Sequence, residues 1–337
     1  MQQQDINATA TPTVPGDDAP LGSDAGRQLV RERIGFIGLG RMGSVMAANL
    51  AAGGCRVTAY VRHADRAEKL AALGLQPSLD IEDLFECDIV ISMLPDDAAV
   101  QNIVFGGNDK LGLDGLAAGL MNGAVHLSMS TISTAAAARC AREHKRCNQH
   151  YVAAPVFGNP DAARARELFI IAAGEPDQVD RVRPIFDLLG QRVFDVGADP
   201  ASANLVKLAG NVMTATALEM LGEVLALIRK RGLDAQMFLD ILTSTMFGSR
   251  VHKLYGAKIA AQQYAASGFI FPLALKDVRL ALAEAEAASV PMPSVSVVRD
   301  RLITGIARGY ADLDWSALGL VAEQEAGLPT KVETKQA

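Results

Sequence analysis

The sequence predicts an α/β domain with a mainly parallel sheet, a long interdomain helix and an all-α C-terminal domain. Short apolar strands alternate with helical segments up to residue 197, one unbroken helical pattern follows, and only helices separated by Gly/Pro turns come after it. A length of 337 residues suits two domains. The boundaries read as a disordered tail over 1–32, the α/β domain over 33–197, the long helix over 198–232, the helical domain over 233–328 and a flexible tail over 329–337. The first tail is polar and turn-rich, with little to bury and no basic segment leading into an apolar core.

Order begins with the strand Ile34–Ile37. Ser44–Ala52 has helical spacing and stops at Gly53-Gly54, and Arg56–Tyr60 is a second strand. A helix over Ala64–Leu73, a buried strand over Asp88–Met93 and a helix over Asp97–Val104 continue the alternation. Ala124–Ser128 reads as a strand, Thr134–Arg146 as a helix, Tyr151–Pro155 and Leu168–Ala173 as strands, and Pro176–Leu189 as a helix. Asp199-Pro200 is an N-cap and first-turn pair, after which the pattern stays helical to Arg229-Lys230-Arg231 and halts at Gly232. Ala235–Thr243, Leu275–Ala288 and Ser294–Arg308 complete the helical half.

Half of the residues are hydrophobic, about a fifth are charged, and the net charge is −6 with no Lys/Arg block, which speaks against nucleic acid or an anionic membrane as a partner. The uncharged stretch 115–138 is long enough to span a bilayer, but Asn122, His126 and several hydroxyl residues interrupt it. Cys55, Cys87, Cys140 and Cys147 lack paired spacing, and the five histidines are scattered; reduced thiols, a cytoplasmic location and no metal are expected.

The sharpest motif is Gly38-Leu39-Gly40-Arg41-Met42-Gly43, which follows a strand and opens a helix. Gly38 suits a tight turn, Gly40 lets backbone approach a pyrophosphate, Gly43 allows close helix–strand contact, and the helix N-terminus offers N–H groups to phosphates. A Gly-rich turn alone is common; the strand–turn–helix–strand setting makes this a Rossmann-type dinucleotide site. The second strand ends in Tyr60-Val61-Arg62-His63, with no acid for ribose hydroxyls. Arg62, helped by Arg66, suits a 2′-phosphate, so NADP (NADPH) is favoured over NAD; the bland alternative is a solvated arginine. Met93-Leu94-Pro95-Asp96 leaves a strand at its carboxyl end, where a cofactor would lie.

Ser130-Thr131-Ile132-Ser133 offers hydroxyls and N–H groups to a carboxylate, or simply caps a helix through Ser133 or Thr134. Around Phe157, the run Gly158-Asn159-Pro160 brings backbone near a small ligand, or is an ordinary turn. Lys207 and Asn211, four apart, share one face of the long helix. Among apolar neighbours a lysine is either tuned for proton transfer or snorkels to solvent. Phe269 suits the wall of a substrate pocket and Lys276-Asp277 suits ligand contact; a core aromatic and a solvated helix start are the alternatives.

Taken in order, these motifs resemble the β-hydroxyacid dehydrogenase family, from about Ile34 to Leu328. The resemblance implies a Rossmann domain and a helical domain joined by a long helix, assembled as a homodimer or homotetramer. It implies Lys207 as general acid/base and Asn211 bonding near the reacting oxygen. Ser130, Gly158, Asn159, Phe269 and Asp277 would meet a small carboxylate-bearing substrate, while Thr131 and Lys276 would face the cofactor. The family commonly carries Gly-Gly at Gly158-Asn159 and Pro at Thr134, which bears on substrate identity. Imine reductases share the architecture but typically have Asp or Tyr at the position of Lys207; a cofactor-binding module without catalysis is a further alternative.

Overall fold

The computed structural model describes residues 31–106, 115–265 and 268–330. Nearly all of the two expected tails, 1–32 and 329–337, lies outside these residues. A six-stranded sheet is built from β1 (Arg33–Ile37), β2 (Arg56–Tyr60), β3 (Gln76–Ser78), β4 (Ile89–Ser92), β5 (Val125–Ser128) and β6 (His150–Ala153), in the order β3-β2-β1-β4-β5-β6 and parallel throughout. All residues of β4 and β5 are buried, which is why these central strands read as continuous runs rather than as alternation. β3 is a three-residue edge strand containing Pro77; an edge tolerates a missing N–H, and so short a strand leaves no pattern in the sequence.

Helices α1 (Gly43–Ala52), α2 (Ala67–Ala71), α3 (Asp97–Phe105), α4 (Leu116–Gly119) and α5 (Thr134–Arg146) connect these strands. The helix expected over Ala64–Leu73 is broken into a 3₁₀ turn at Ala64–Arg66 and the short α2. The uncharged stretch 115–138 folds as α4, β5 and the start of α5, not as one apolar span. The strand expected over Tyr151–Pro155 ends at Ala153, and β7 (Val156–Phe157) departs into a second sheet with β8 (Leu168–Ala172) and β9 (Gly190–Asp195). Between them lie α6 (Pro160–Arg164) and α7 (Pro176–Leu189). β9 is largely exposed, so no apolar run announces it.

α8 (Pro200–Lys230) runs 31 residues, capped by Asp199, whose carboxylate accepts from Ala201 N–H at 3.0 Å, and followed by Gly232 at φ +76°. It is the only described helix long and apolar enough to cross a membrane, and half of its most apolar window is buried within the fold. Around it pack α9 (Ala235–Ser244), α10 (Arg250–Ala261), α11 (Phe271–Ala287), α12 (Pro293–Ala307) and α13 (Leu318–Glu325). α11 starts four residues before the expected Leu275, because Pro272 in its first turn favours helix there. A Cβ on Gly222 of α8 would come within 2.8 Å of Gly319 Cα, so two glycines let α8 and α13 cross backbone to backbone.

Candidate active site

The chain leaves β1 outward through β2 and β3 and returns as β4 on the other side, so the carboxyl ends of β1 and β4 flank the point where strand order reverses. A cavity of 800 Å³ opens there. The turn Gly38–Gly43 lines it from β1, and Met93, Leu94 and Pro95 line it from β4. Gly38 sits at φ +91°, and a Cβ on it would meet Met93 O at 2.2 Å. On Gly43 a Cβ would meet Gly38 O at 2.1 Å. Gly40 differs: a Cβ there would touch nothing within 4 Å, and the residue faces the cavity. Packing alone explains the first two glycines, whereas Gly40 leaves room for a ligand to approach the backbone at the start of α1, where a pyrophosphate is stabilised. These residues fit a dinucleotide.

Arg62 and Arg66, both exposed, line the same cavity beyond β2. Arg66 reaches back so that its Nη2 donates to Leu39 O at 2.6 Å, holding it against the glycine turn. No carboxylate lines the stretch from Tyr60 to His63.

A second cavity, of 230 Å³, adjoins the first; Met42, Gly268 and Phe269 line both. Lys207 and Asn211 project into it from α8. Lys207 is 8% exposed, and its Nζ donates to Asn211 Oδ1 at 2.9 Å. Asn211 Nδ2 donates to Asp277 Oδ2 at 2.5 Å, which fixes the amide so that its oxygen faces the lysine. Nζ also lies 4.3 Å from the centre of the Phe157 ring. That ring fits against α8 because residue 210 is glycine; a Cβ would come within 2.3 Å of it. Burial pulls the Lys207 ammonium down to about 8, against the attraction of Asp277 and with the help of repulsion from Lys276. Lys207 is therefore a buried, paired ammonium rather than a snorkelling one, and it holds a proton that it can give up near neutrality.

Asp277 is 1% exposed, well inside α11, not at a solvated helix start. Its neighbour Lys276 donates to Thr131 O at 2.5 Å and lies 2.9 Å from Asp277 Oδ1. A continuous polar line thus runs from Thr131 in the α/β half through Lys276, Asp277 and Asn211 to Lys207. Thr131, Lys276 and Asp277 face the larger cavity; Gly158 and Asn159 face the smaller. Asn159 caps α6, its Oδ1 accepting from Ala162 N–H at 2.9 Å, so the turn reading and the cavity position coexist.

Ser130 is buried beside Leu94 and Thr131, both of which line the larger cavity. It lines neither of these cavities, and its buried hydroxyl accepts Leu94 N–H at 2.8 Å. The oxygen expected beside a substrate carboxylate here ties the β5 exit to the β4 exit. Ser133 caps α5, its hydroxyl accepting from Ala136 N–H at 3.0 Å, as the plainer reading had it. Tyr255, Leu254, Arg250 and Trp315 also line the smaller cavity. No motif marks them, because they converge only when α10 and the turn Trp315–Ala317 fold onto α8. Among the described residues no group of three or more His, Cys, Asp or Glu is placed to hold a metal.

Residues 33–197 match the family described as the NAD binding domain of 6-phosphogluconate dehydrogenase, and residues 201–321 match the NAD-binding region of NADP-dependent 3-hydroxyisobutyrate dehydrogenase. An uncharacterized oxidoreductase of Bacillus subtilis is 39% identical over 290 residues, covering 85% of this chain and 98% of the relative. The 2-hydroxy-3-oxopropionate reductase of Escherichia coli is 31% identical over 288 residues, covering 85% and 95%. Among solved structures, the Mycobacterium tuberculosis 3-hydroxyisobutyrate dehydrogenase with L-serine superposes with a TM-score of 0.76 at 26% identity, covering 86% of this chain and 98% of that one. With a glycine cradle for a nicotinamide cofactor opening onto a buried lysine, and with relatives matched over nearly their whole length, this chain belongs to the β-hydroxyacid dehydrogenase family of NAD(P)-dependent oxidoreductases.

Proposed function

We propose that the protein is an NADP-preferring oxidoreductase that moves a hydride between the nicotinamide and a small β-hydroxyacid or the corresponding semialdehyde or keto acid, with Lys207 as general acid/base. The observation that carries this reading is the buried Lys207–Asn211–Asp277 line, set in a cavity that shares Met42 and Phe269 with the dinucleotide cradle. The cofactor, when bound, supplies or accepts the hydride. Gly38, Leu39, Gly40, Arg41, Met42 and Gly43 would hold its phosphates, Met93, Leu94, Pro95, Thr131 and Lys276 would line its path, and Arg62 with Arg66 would pair with a 2′-phosphate. In the reducing direction Lys207 gives its proton to the carbonyl oxygen; in oxidation it takes the hydroxyl proton. Asn211 holds Nζ in place, and Asp277 holds Asn211. Ser130, Gly158 and Asn159 would receive the substrate carboxylate, and Phe269 would exclude water. Positioning of two reactants and a tuned acid are the physical levers.

The same reading covers the organisation of the chain: a cofactor domain at 33–197, a helical domain at 233–328, and α8 between them. A homodimer is supported by Val206, Met213, Met220 and Leu227, exposed and seven residues apart on α8. Buried thiols at Cys55, Cys87 and Cys140 support a reducing, cytoplasmic setting.

The test is NADPH oxidation with glyoxylate, succinic semialdehyde, a branched three-carbon semialdehyde and a cyclic imine, with Lys207→Ala alongside. Turnover of an acid-bearing carbonyl that falls at least 100-fold in the variant, with NADPH still bound, is expected. Turnover of the imine alone, or unchanged kcat in Lys207→Ala, overturns the reading. For the cofactor, Arg62→Ala should weaken NADPH far more than NADH; equal losses would remove the NADP preference.

A further inference from the structure

In the smaller cavity α8 presents Lys207, Asn211 and Thr214, while α10, the segment before α11 and the Trp315 turn supply an apolar wall, Val251, Leu254, Tyr255, Phe269 and Trp315, to which Phe157 and Phe169 of the α/β half add two further rings. This wall is rigid. The Phe269 and Trp315 rings meet edge to face at 4.6 Å, Tyr255 and Trp315 do so at 5.5 Å, and Trp315 N–H donates to Phe269 O at 3.0 Å. Burial pushes the Tyr255 phenol up to about 12, so that ring is neutral at any working pH. The charges on the far side, Arg250 and Glu167, are mostly exposed and lie 3.7 Å apart, each offsetting the other. A substrate made only of polar groups would leave the aromatic wall facing water or facing charge, and either arrangement wastes the burial that the wall offers.

We propose that the natural substrate is a β-hydroxyacid, or its semialdehyde, whose carbon between the carboxylate and the reacting carbon carries a neutral apolar substituent, aromatic or branched aliphatic, seated between Leu254, Tyr255, Phe269 and Trp315. This rests on the activity proposed above and adds the substrate class. The carboxylate and the reacting oxygen stay at the α8 side with Asn159, Lys207 and Asn211, and the substituent fills the α10 side. Arg250 and Glu167 close the rim as a pair and do not read a second anion.

Trp315 is the only tryptophan of the 337 residues, so its emission reports occupancy of this wall with no chemistry required. The experiment titrates the full-length protein, saturated with NADPH so that the hydroxyacid is not oxidised, with 3-hydroxypropionate and its 2-methyl, 2-isobutyl, 2-phenyl and 2-carboxymethyl derivatives, and measures kcat/KM with NADP⁺ on the same series. Binding seen by Trp315 should tighten along the apolar members, tenfold or more from hydrogen to phenyl. Leu254→Asp, at a partly exposed position that tolerates a polar side chain, should bring the phenyl and unsubstituted acids within threefold of each other. Equal affinity across the series, absence of binding by any member, or tightest binding of the carboxymethyl acid with loss in Arg250→Ala would each overturn the proposal. An apolar preference in binding without turnover keeps the pocket assignment and sinks the proposed activity. Turnover without the preference does the reverse.

Discussion

Lys207 carries two properties that pull against each other: burial favours its neutral form, and Asp277 favours its charged form. Burial wins, which leaves the ammonium at about 8. With Lys207 as the acid/base proposed above, reduction would need the protonated lysine, so its kcat should decline as pH rises through about 8, while oxidation should gain over the same interval. The neighbours set the midpoint. Asp277→Asn removes the negative charge that supports the ammonium and should move the midpoint to lower pH; Lys276→Met removes a repelling positive charge and should move it higher. Rate–pH curves of the two variants that shift in the same direction would refute this account of the site.

At the scale of elements, one hydrogen-bonded chain ties β4, β5, α5 and the start of β6. The Gln149 amide donates from Nε2 to Leu120 O at 2.7 Å and Ala117 O at 3.2 Å, so its Oε1 accepts from His144 Nδ1 at 2.7 Å. His144 Nε2 then accepts from His126 Nδ1 at 2.9 Å, and His126 Nε2 accepts from the Ser92 hydroxyl at 2.9 Å. Each imidazole uses one nitrogen as an acceptor, so both are neutral. Burial holds His144 down to about 4 and His126 well below the ordinary 6.5. Unfolding exposes two histidines that take up protons below 6.5, so stability is whole above that pH and drains as pH falls toward 4, by at most on the order of 1 kcal/mol per pH unit for each histidine. Urea unfolding between pH 7 and 5 measures this, and His144→Asn should flatten the dependence; an unchanged slope would refute the assignment. The α8–α13 crossing gives a second prediction. Gly222→Leu must push Gly319 away and should cost about 1–3 kcal/mol in urea unfolding.

For the whole molecule, the site exists only where the two halves meet. Thr131 and Asn159 come from the α/β half, Lys207 and Asn211 from α8, and Asp277, Phe269 and Trp315 from the helical half. The Thr134 hydroxyl, bonded to Glu284 of α11, adds a further tie between the halves. The apolar stripe on α8 bears on the proposed assembly, because Met213 at its middle is 74% exposed and Val206, Met220 and Leu227 are exposed beside it. If the protein is the homodimer proposed above, Met213→Glu with Met220→Glu should convert it into monomers in light scattering, with the fold retained in circular dichroism; an unchanged mass would place any subunit contact elsewhere.

The sequence by itself determined what local chemistry determines. Gly38 and Gly43 follow from a turn in which a Cβ collides with backbone, β4 and β5 follow from burial on both faces, and α8 follows from Asp199-Pro200 at one end and Gly232 at the other. Lys207 with Asn211 was legible because a helix sets their spacing. Tertiary structure decided the rest. β3 and β9 are strands because a neighbour pairs with them, not because their residues alternate. The Ser130 hydroxyl turns inward because Leu94 N–H needs an acceptor, and the aromatic wall forms from residues sixty positions apart in the chain, Tyr255 and Trp315. A side chain's spacing along its own element is written locally, whereas what it faces depends on elements that arrive from elsewhere in the fold.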